Sequence, residues 1–573
     1  VALAVASIVL GYPAFRALFM LDDFLHASML NGTWVVDREP WDLYSFVDDS
    51  DREILRLRGL VPWWTHPDLT IRFFRPLSAL LLWVDHQLIG DDPLWMHVHS
   101  GLWLIATIGG AWLVYQRAFS RRVAWIATFV YALAPAHTMP IAWLANRDAL
   151  ISLGLGLPGI WAHVRWREEK QHRFAALATL LFSLSLAGGE YAIGLGGFVL
   201  AFELLRREDG LVRRALSLAT FAAPALVYLA IRRALDYGTV GSGFYSDPLH
   251  SPGLYLAFAP RHFAMLVLDA WLTLDQVTLS WAFPNWALVI GFVAVAAPIG
   301  VVVWRTLRDA EPRAGNTARW LLVGSWIALV PVLAVVPAPR VLGASILGVA
   351  PCVALVLDAM WFPSAIVDRA TLPLRERRYA ELAGLVAIAL GYLHLVHGPA
   401  TAWLMNRHFR DSSLAYEAQL ESMRRLAGDV PGSEIVVVRG MAGSFFAPFA
   451  AGPRGAPPVR YYMLSQSSHV LVLRTGERSF DMIGPTDGGV FPLGEGNLYR
   501  DLGTPVAEGD TFELPGLRAT IVQMSGAWAR RVHFEFDDDV DLEDLVWLNE
   551  NRKGYLSATL PDVGFGRPFD FER

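Results

Sequence analysis

The sequence predicts a multi-pass α-helical membrane domain followed by a β-rich soluble domain of the α+β class. Three observations predict it. Residues A, V, I, L, M, F, W, Y and C make up 54% of the 573-residue chain and charged residues only 18%, whereas a soluble chain carries about 25% charge. Apolar runs approaching the length of a bilayer span, about 20 residues, recur through the first 402 positions. Beyond them the runs shorten and are broken by Gly/Pro turns. The mean hydropathy of +0.37 and the 22 tryptophans agree with a membrane protein, because indole rings anchor at the membrane–water boundary. Net charge is only −6 and there is one cysteine, Cys352. These values exclude a nucleic-acid-binding protein, a disordered chain and a disulfide scaffold.

Taken in order, membrane helices are expected at roughly 1–21, 94–115, 122–138, 141–164, 174–188, 191–205, 213–232, 285–304, 319–337, 341–361 and 380–402. Val1 falls inside the first of these, so the sequence is expected to begin within a hydrophobic segment. Several runs are short, which a membrane protein tolerates where helices line a protein cavity. Tyr255–Phe283 is apolar but carries Arg261, His262, Asp269 and Asp275. Basic clusters decide its reading: Arg117/Arg121/Arg122, Arg165/Arg167/Lys170/Arg173, Arg206/Arg207/Arg213/Arg214, Arg305/Arg308/Arg313/Arg319 and Arg369/Arg375/Arg377/Arg378. Basic loops stay cytoplasmic, and all five share a side only if 255–283 does not cross. The expected result is eleven spans, with the chain start inside and the C-terminal domain extracytoplasmic. The expected divisions are 1–402 (membrane domain, outer loop 22–93), 403–430 (helical connector) and 431–573 (β-rich domain). Strands are expected at Glu434–Arg439, Arg460–Leu464, His469–Arg474, Leu517–Met524 and Val532–Phe536, after an amphipathic helix at Ser412–Ala427.

On this topology, ionisable residues collect on one face. Asp22 and Asp23 end the first span. Arg72 and Arg75 lie near the end of the outer loop, and His97 and His99 open the next helix. Arg147 and Asp148 start the fourth span, and Glu190 and Arg340 sit in outward turns. An ionisable group at membrane depth is costly and marks function by default. Singly, each also reads as a helix cap or a headgroup contact; the functional reading rests on their convergence.

The pattern Asp22-Asp23-Phe24 after the first span, followed by a large outer loop, resembles the membrane-embedded glycosyltransferases of the GT-C superfamily. Among these it is most similar to the protein O-mannosyltransferases of the transmembrane tetratricopeptide-containing type. The resemblance continues in order through Phe74-Arg75-Pro76-Leu77, Leu94-Trp95-Met96-His97, Trp143 to Leu150, Gly189-Glu190 and Arg340-Val341-Leu342. It covers the membrane domain and not the last 170 or so residues. The chain departs from the family in carrying Gly189 where a lysine is usual, in the adjacency of Arg147 and Asp148, and in lacking the repeats.

The resemblance implies an inverting transfer of sugar from a polyprenyl-phosphate-linked donor to a hydroxyl of an acceptor protein or glycan. Asp22 or Asp23 would be the general base. Arg340, Arg147 and Arg75 would hold the donor phosphate. His97, Asp148 and Glu190 would line the cavity. The implied partners are the lipid-linked donor, membrane lipid and the acceptor, with no nucleic acid. No cofactor is assigned, and a divalent metal is left open. Ten of the 15 histidines fall on the outward side, but only His394 and His397 share a helix face, and a structural role is favoured over zinc. The acidic run Asp537–Asp539, Asp541, Glu543, Asp544 lacks an EF-hand pattern and reads as a solvated loop. Gly154/Gly156 and Gly194/Gly196/Gly197 read as helix-packing positions. Two other classes stay open: a transporter or flippase of a lipid-linked substrate, and an inactive relative acting as a scaffold.

Overall fold

An apolar run becomes a helix because a helix satisfies every backbone N–H and C=O within the segment. The computed structural model describes residues 2–206, 209–274, 285–362, 373–427, 434–451, 460–541 and 545–571. The chain forms two compact units: Val1–Ala17, Phe74–Asp236 and Leu256–Arg410 make the first, and Leu18–Phe73, Tyr237–Tyr255 and Asp411–Arg573 the second.

The first unit is helical. Its Pro93–Tyr115 helix starts where Asp92 accepts the Leu94 N–H at 2.9 Å and Pro93 fills the first position. Small residues let neighbours approach closely: a Cβ on Gly110 would lie 2.8 Å from Leu157 Cβ, and one on Gly154 would lie 3.0 Å from Trp103. Gly156, Gly194 and Gly197 are equally crowded, while Gly196 has open space beside it; packing therefore accounts for all but one of the singled-out glycines. The Arg147–Glu169 and His172–Gly188 helices are joined by reciprocal bonds, Ser185 Oγ to the Ser152 carbonyl (2.6 Å) and Ser152 Oγ to the Ser185 carbonyl (3.2 Å). Ala14, Leu104, Ile108, Ala132, Ile141, Ala142 and Leu150 form one buried cluster.

Ionic layers occupy both ends of the Arg147–Glu169 helix. Arg147 and Asp148 begin it. Near its other end Arg167 bonds Glu203 (3.0 Å) and Asp209 (2.8 Å), and His163 bonds Glu203 (3.1 Å) and Thr220 (2.8 Å). At 1.5 Å per residue, positions 147 and 167 are about 30 Å apart along the axis, the thickness of a hydrocarbon core.

Against the eleven expected spans, two described helical stretches are long and apolar enough to cross a membrane, Pro93–Tyr115 and one within Leu374–Leu426. A third is reached if Leu211–Ser217 and Ala219–Ala234, bent by 47°, form one span. His172–Gly188 and Ile346–Trp361 are apolar but shorter. Elsewhere 3-10 turns interrupt the runs, as at Leu144–Asn146 and Glu190–Leu195. Within Tyr255–Phe283, a helix covers Pro252–Leu272 and is not among the long apolar ones; 275–284 lie outside the described residues.

The second unit holds three sheets. Ser45–Val47, Thr70–Arg72 and Gly238–Val240 make a small antiparallel one. The largest is antiparallel, in the order Gly566–Asp570, His469–Arg474, Ser479–Ile483, Trp528–Phe536, Leu517–Ser525, Thr511–Leu514. The last, Gly554–Ser557, Leu545–Asn551, Glu434–Val437, Arg460–Met463, has parallel pairs at Glu434–Val437. The expected strands are thus present, and the expected amphipathic helix is the end of Gly398–Ala427.

The expected division places the outer loop, 22–93, with the membrane domain. Residues 18–73 belong to the same unit as the C-terminal segment, not to the helical one. Aromatic burial is the reason. Trp64 stacks on Phe491 at 4.9 Å, Trp63 packs edge-on against Phe512 and Phe534, and Trp63 Nε1 donates to the Leu464 carbonyl at 3.0 Å. Arg500 Nε donates to the Trp64 carbonyl at 2.6 Å. In the acidic run Asp537, Asp538 and Asp541 are exposed, as a solvated loop requires, and Asp541 also pairs with the buried Arg474 at 2.6 Å.

Candidate active site

Four segments of the helical unit bring charge together. Arg75 precedes Pro76, the first residue of the Pro76–Ile89 helix, and its φ of −126° and ψ of 54° keep it out of the α region that a following proline disfavours. Asp148 sits in the first turn of the Arg147–Glu169 helix, where an acid suits the helix dipole. Glu190 opens the 3-10 turn Glu190–Leu195 directly after Gly189, and Arg340 lies in Pro339–Leu342.

Arg75 is the hub. Its Nε and Nη2 donate to the two oxygens of Glu190 at 3.0 and 3.3 Å, across 115 residues of sequence. Its Nη1 lies 3.3 Å from Asp148 Oδ2. Gly189 leaves room for this: a Cβ there would stand 3.2 Å from Asp148 Oδ2 and 3.6 Å from Arg75 Cγ and Cδ. Arg340 lies within electrostatic reach of Asp148, and its guanidinium sits 5.8 Å from the centre of the Trp143 ring. It makes no ion pair among the described residues. Tyr191 locks the two turns together, donating to the Val341 carbonyl at 3.1 Å and accepting from Ala344 N–H at 3.0 Å.

Arg147 is placed differently. It is 1% exposed. Its Nε donates to Ser100 Oγ at 2.8 Å, its Nη2 to the Met96 carbonyl at 2.7 Å, and its Nη1 to Asp85. His99 Nδ1 bonds the other Asp85 oxygen at 2.8 Å, and Trp103 Nε1 donates to His99 Nε2 at 3.0 Å. With all three nitrogens bonded to neighbouring helices and almost no exposure, the guanidinium favours a helix-anchoring role over the expected contact with the donor phosphate. His97 is buried on the same helix, bonded to the Ile141 carbonyl at 3.0 Å, and is placed as a packing residue. Sequence reading missed Asp85, Tyr191 and Trp143 as partners. Only Asp85 left a signal, a lone acid in the apolar run LLLWVDHQLI.

Asp22 and Asp23 belong to the second unit. They occupy the first turn of the Asp22–Leu30 helix, Asp23 Oδ2 accepting the Met20 N–H at 3.0 Å. Asp22 lies within electrostatic reach of Tyr499. Leu21, immediately before them, has φ +48°, a left-handed conformation that costs a non-glycine residue about 1–3 kcal/mol and clusters at functional sites. The same unit holds a second ionic group. Arg38 pairs with Asp48 at 2.8 Å and with Asp51, and Arg72 lies 3.6 Å from Asp42 and 3.5 Å from Asp48. Burial pushes the Asp51 carboxyl up to about 6 in spite of Arg38, whereas hydrogen bonds from Ser50 and the charge of Arg38 hold Asp48 below its ordinary value against the opposing effect of burial.

Among the described residues no group of three or more His, Cys, Asp or Glu is arranged to hold a metal. His394 and His397 bond the Trp271 carbonyl (3.0 Å) and Thr273 Oγ1 (3.2 Å).

No protein-family model matches the chain, and no curated protein matches it by sequence. Among solved structures it is similar to ArnT from Cupriavidus metallidurans bound to undecaprenyl phosphate, at 14% identity and a TM-score of 0.42, covering 78% of this chain and 83% of that one. It is also similar to the oligosaccharyltransferase of Archaeoglobus fulgidus tethered to an acceptor peptide, at 12% identity and a TM-score of 0.42, covering 80% of this chain and 63% of that one. The archaeal oligosaccharyltransferase AglB from Archaeoglobus fulgidus, in complex with an inhibitory peptide and a dolichol phosphate, gives 13% identity and a TM-score of 0.40, covering 80% of this chain and 63% of that one.

Proposed function

We propose that the protein is a membrane glycosyltransferase that moves a sugar from a polyprenyl-phosphate-linked donor to a hydroxyl acceptor at the outer membrane face. The observation that carries the reading is Arg340. It is a half-buried cation without an ion pair among the described residues, and it sits beside the Arg75–Asp148–Glu190 group of the helical unit. A cation kept at membrane depth without a carboxylate partner suits an anionic ligand that is itself anchored in lipid.

In this reading the acceptor hydroxyl loses its proton to Asp22, or to Asp23 as second choice. The oxygen attacks the anomeric carbon from the face opposite the phosphate, and the bond from that carbon to the phosphate oxygen breaks. The bonding electrons leave with the phosphate, and Arg340 stabilises the developing charge with a charge-assisted bond. One displacement inverts the anomeric centre. Arg75 supports the phosphate side, while Asp148 and Glu190 fix Arg75. The basic loops support an orientation with the C-terminal segment outside.

Purified protein in lipid nanodiscs, given a radiolabelled undecaprenyl-phosphate-linked sugar, is the test. Wild type is expected to release undecaprenyl phosphate, and Arg340→Ala to lose both donor binding and release. Arg340→Ala binding the donor like wild type would overturn the reading.

A further inference from the structure

We infer that the donor's phosphate exchanges with Glu190 for Arg75, so that the Glu190 carboxylate is set free only when the donor is seated. The inference rests on the proposed function and deepens it.

Donor occupancy is the first ground. Arg75 offers Nε and Nη2 to Glu190 and Nη1 to Asp148, so all three of its nitrogens already face carboxylates. A phosphate that takes a fork of Arg75 has to displace one of the two, and the displaced carboxylate has to reach water or other partners, because a buried unpaired charge is strongly unfavourable.

Geometry says which. Asp148 is 4% exposed along its side chain and also accepts from Asn146 Nδ2 at 3.3 Å. Glu190 is 28% exposed and lies at the start of a turn, so its side chain can swing to solvent. Its backbone cannot follow, because Tyr191 is tied to Val341 and Ala344 on the Arg340 turn. The fork from Arg75 Nε and Nη2 that now holds two carboxylate oxygens presents the same spacing to two phosphate oxygens. Gly189 presents no side chain against Arg75 or Asp148. Glu190 is therefore a positioning residue that competes with the ligand for Arg75.

The coupling has a measurable sign. Removing the competing charge with Glu190→Gln keeps the shape and is expected to tighten undecaprenyl phosphate binding by roughly 5- to 150-fold, the ordinary range of a coupling free energy. The probe is undecaprenyl phosphate itself, titrated against full-length protein in nanodiscs for wild type, Glu190→Gln, Glu190→Asp and Arg340→Ala. If wild type binds and Arg340→Ala does not, while Glu190→Gln binds no tighter than wild type, the exchange is refuted and the proposed function stands. If wild type itself does not bind the probe, the proposed function fails. Glu190→Asp retains the charge and is expected to bind near the wild-type level; if it tightens as much as Glu190→Gln, the effect is loss of packing rather than of charge and the exchange is again refuted.

Discussion

Arg147 and Arg340 carry the same guanidinium and are held in opposite ways, one saturated by Asp85, Ser100 and Met96, the other set over Trp143. Replacing Arg147 by Ala strands Asp85, 4% exposed, beside His99 alone. Breaking a buried pair in this way costs about 3–5 kcal/mol. The expected outcome is a lower thermal midpoint with normal donor binding in the folded fraction, read by size-exclusion thermostability and by titration of the surviving protein. A phosphate ligand would give the reverse.

Asp51 yields a pH prediction. Its folded pKa of about 6 lies above the ordinary 3.8, so the folded state holds the proton more tightly than the unfolded chain. Stability from this group is present below about pH 4, declines as pH rises through 6, and is lost above that. Asp48, shifted down, has the opposite sign, and its contribution goes only as pH falls below the ordinary carboxylate range. Unfolding of the full chain followed between pH 7 and pH 5 is expected to show a gain in midpoint on acidification that Asp51→Asn abolishes. An unchanged pH slope in that variant would show that Asp51 is not its source.

At the scale of elements, helix packing depends on a few bare positions. A Cβ on Gly348 would meet the Leu321 carbonyl oxygen at 2.1 Å, so Gly348→Ala has to separate the Pro312–Val332 and Ile346–Trp361 helices. Overpacking of this kind costs roughly 1–3 kcal/mol, and circular dichroism melting is the check. Gly196→Ala, with open space around it, is the control expected to melt like wild type.

The same elements show what was legible in the sequence. Strand His469–Arg474 and the helix through Ser412–Ala427 carry strong local periodicity and stand where expected. Strands such as Ser479–Ile483 and Gly566–Asp570 are short and mix polar with apolar residues, and only pairing with neighbours makes them strands. Charge at the starts of helices marked Arg75, Asp148, Glu190 and Arg340. Nothing local told Arg147 from Arg340, because the difference lies in partners distant in sequence, Asp85 across 62 residues among them.

At the scale of the molecule, the loop after the first helix and the C-terminal segment form one unit through Trp63 and Trp64. Both then share one side of the membrane, and the proposed orientation, with the basic loops cytoplasmic, makes that side the outer one. Cys352 is buried, so an introduced thiol can report alone. An impermeant thiol reagent on intact cells is expected to label Ser468→Cys and to leave Arg377→Cys untouched until the cells are opened. Labelling of Arg377→Cys alone would invert the topology.

In the proposed reaction a carboxylate after the first span takes the acceptor's proton while an arginine holds the leaving phosphate. Sugar transfer from an undecaprenyl-phosphate-linked donor by the Asp22→Asn, Asp23→Asn double variant tests it most directly. Asparagine keeps size and hydrogen bonding but not proton affinity, so turnover is predicted to fall on the order of 10²- to 10⁴-fold with donor binding retained. Transfer at the wild-type rate by that variant would contradict the claim.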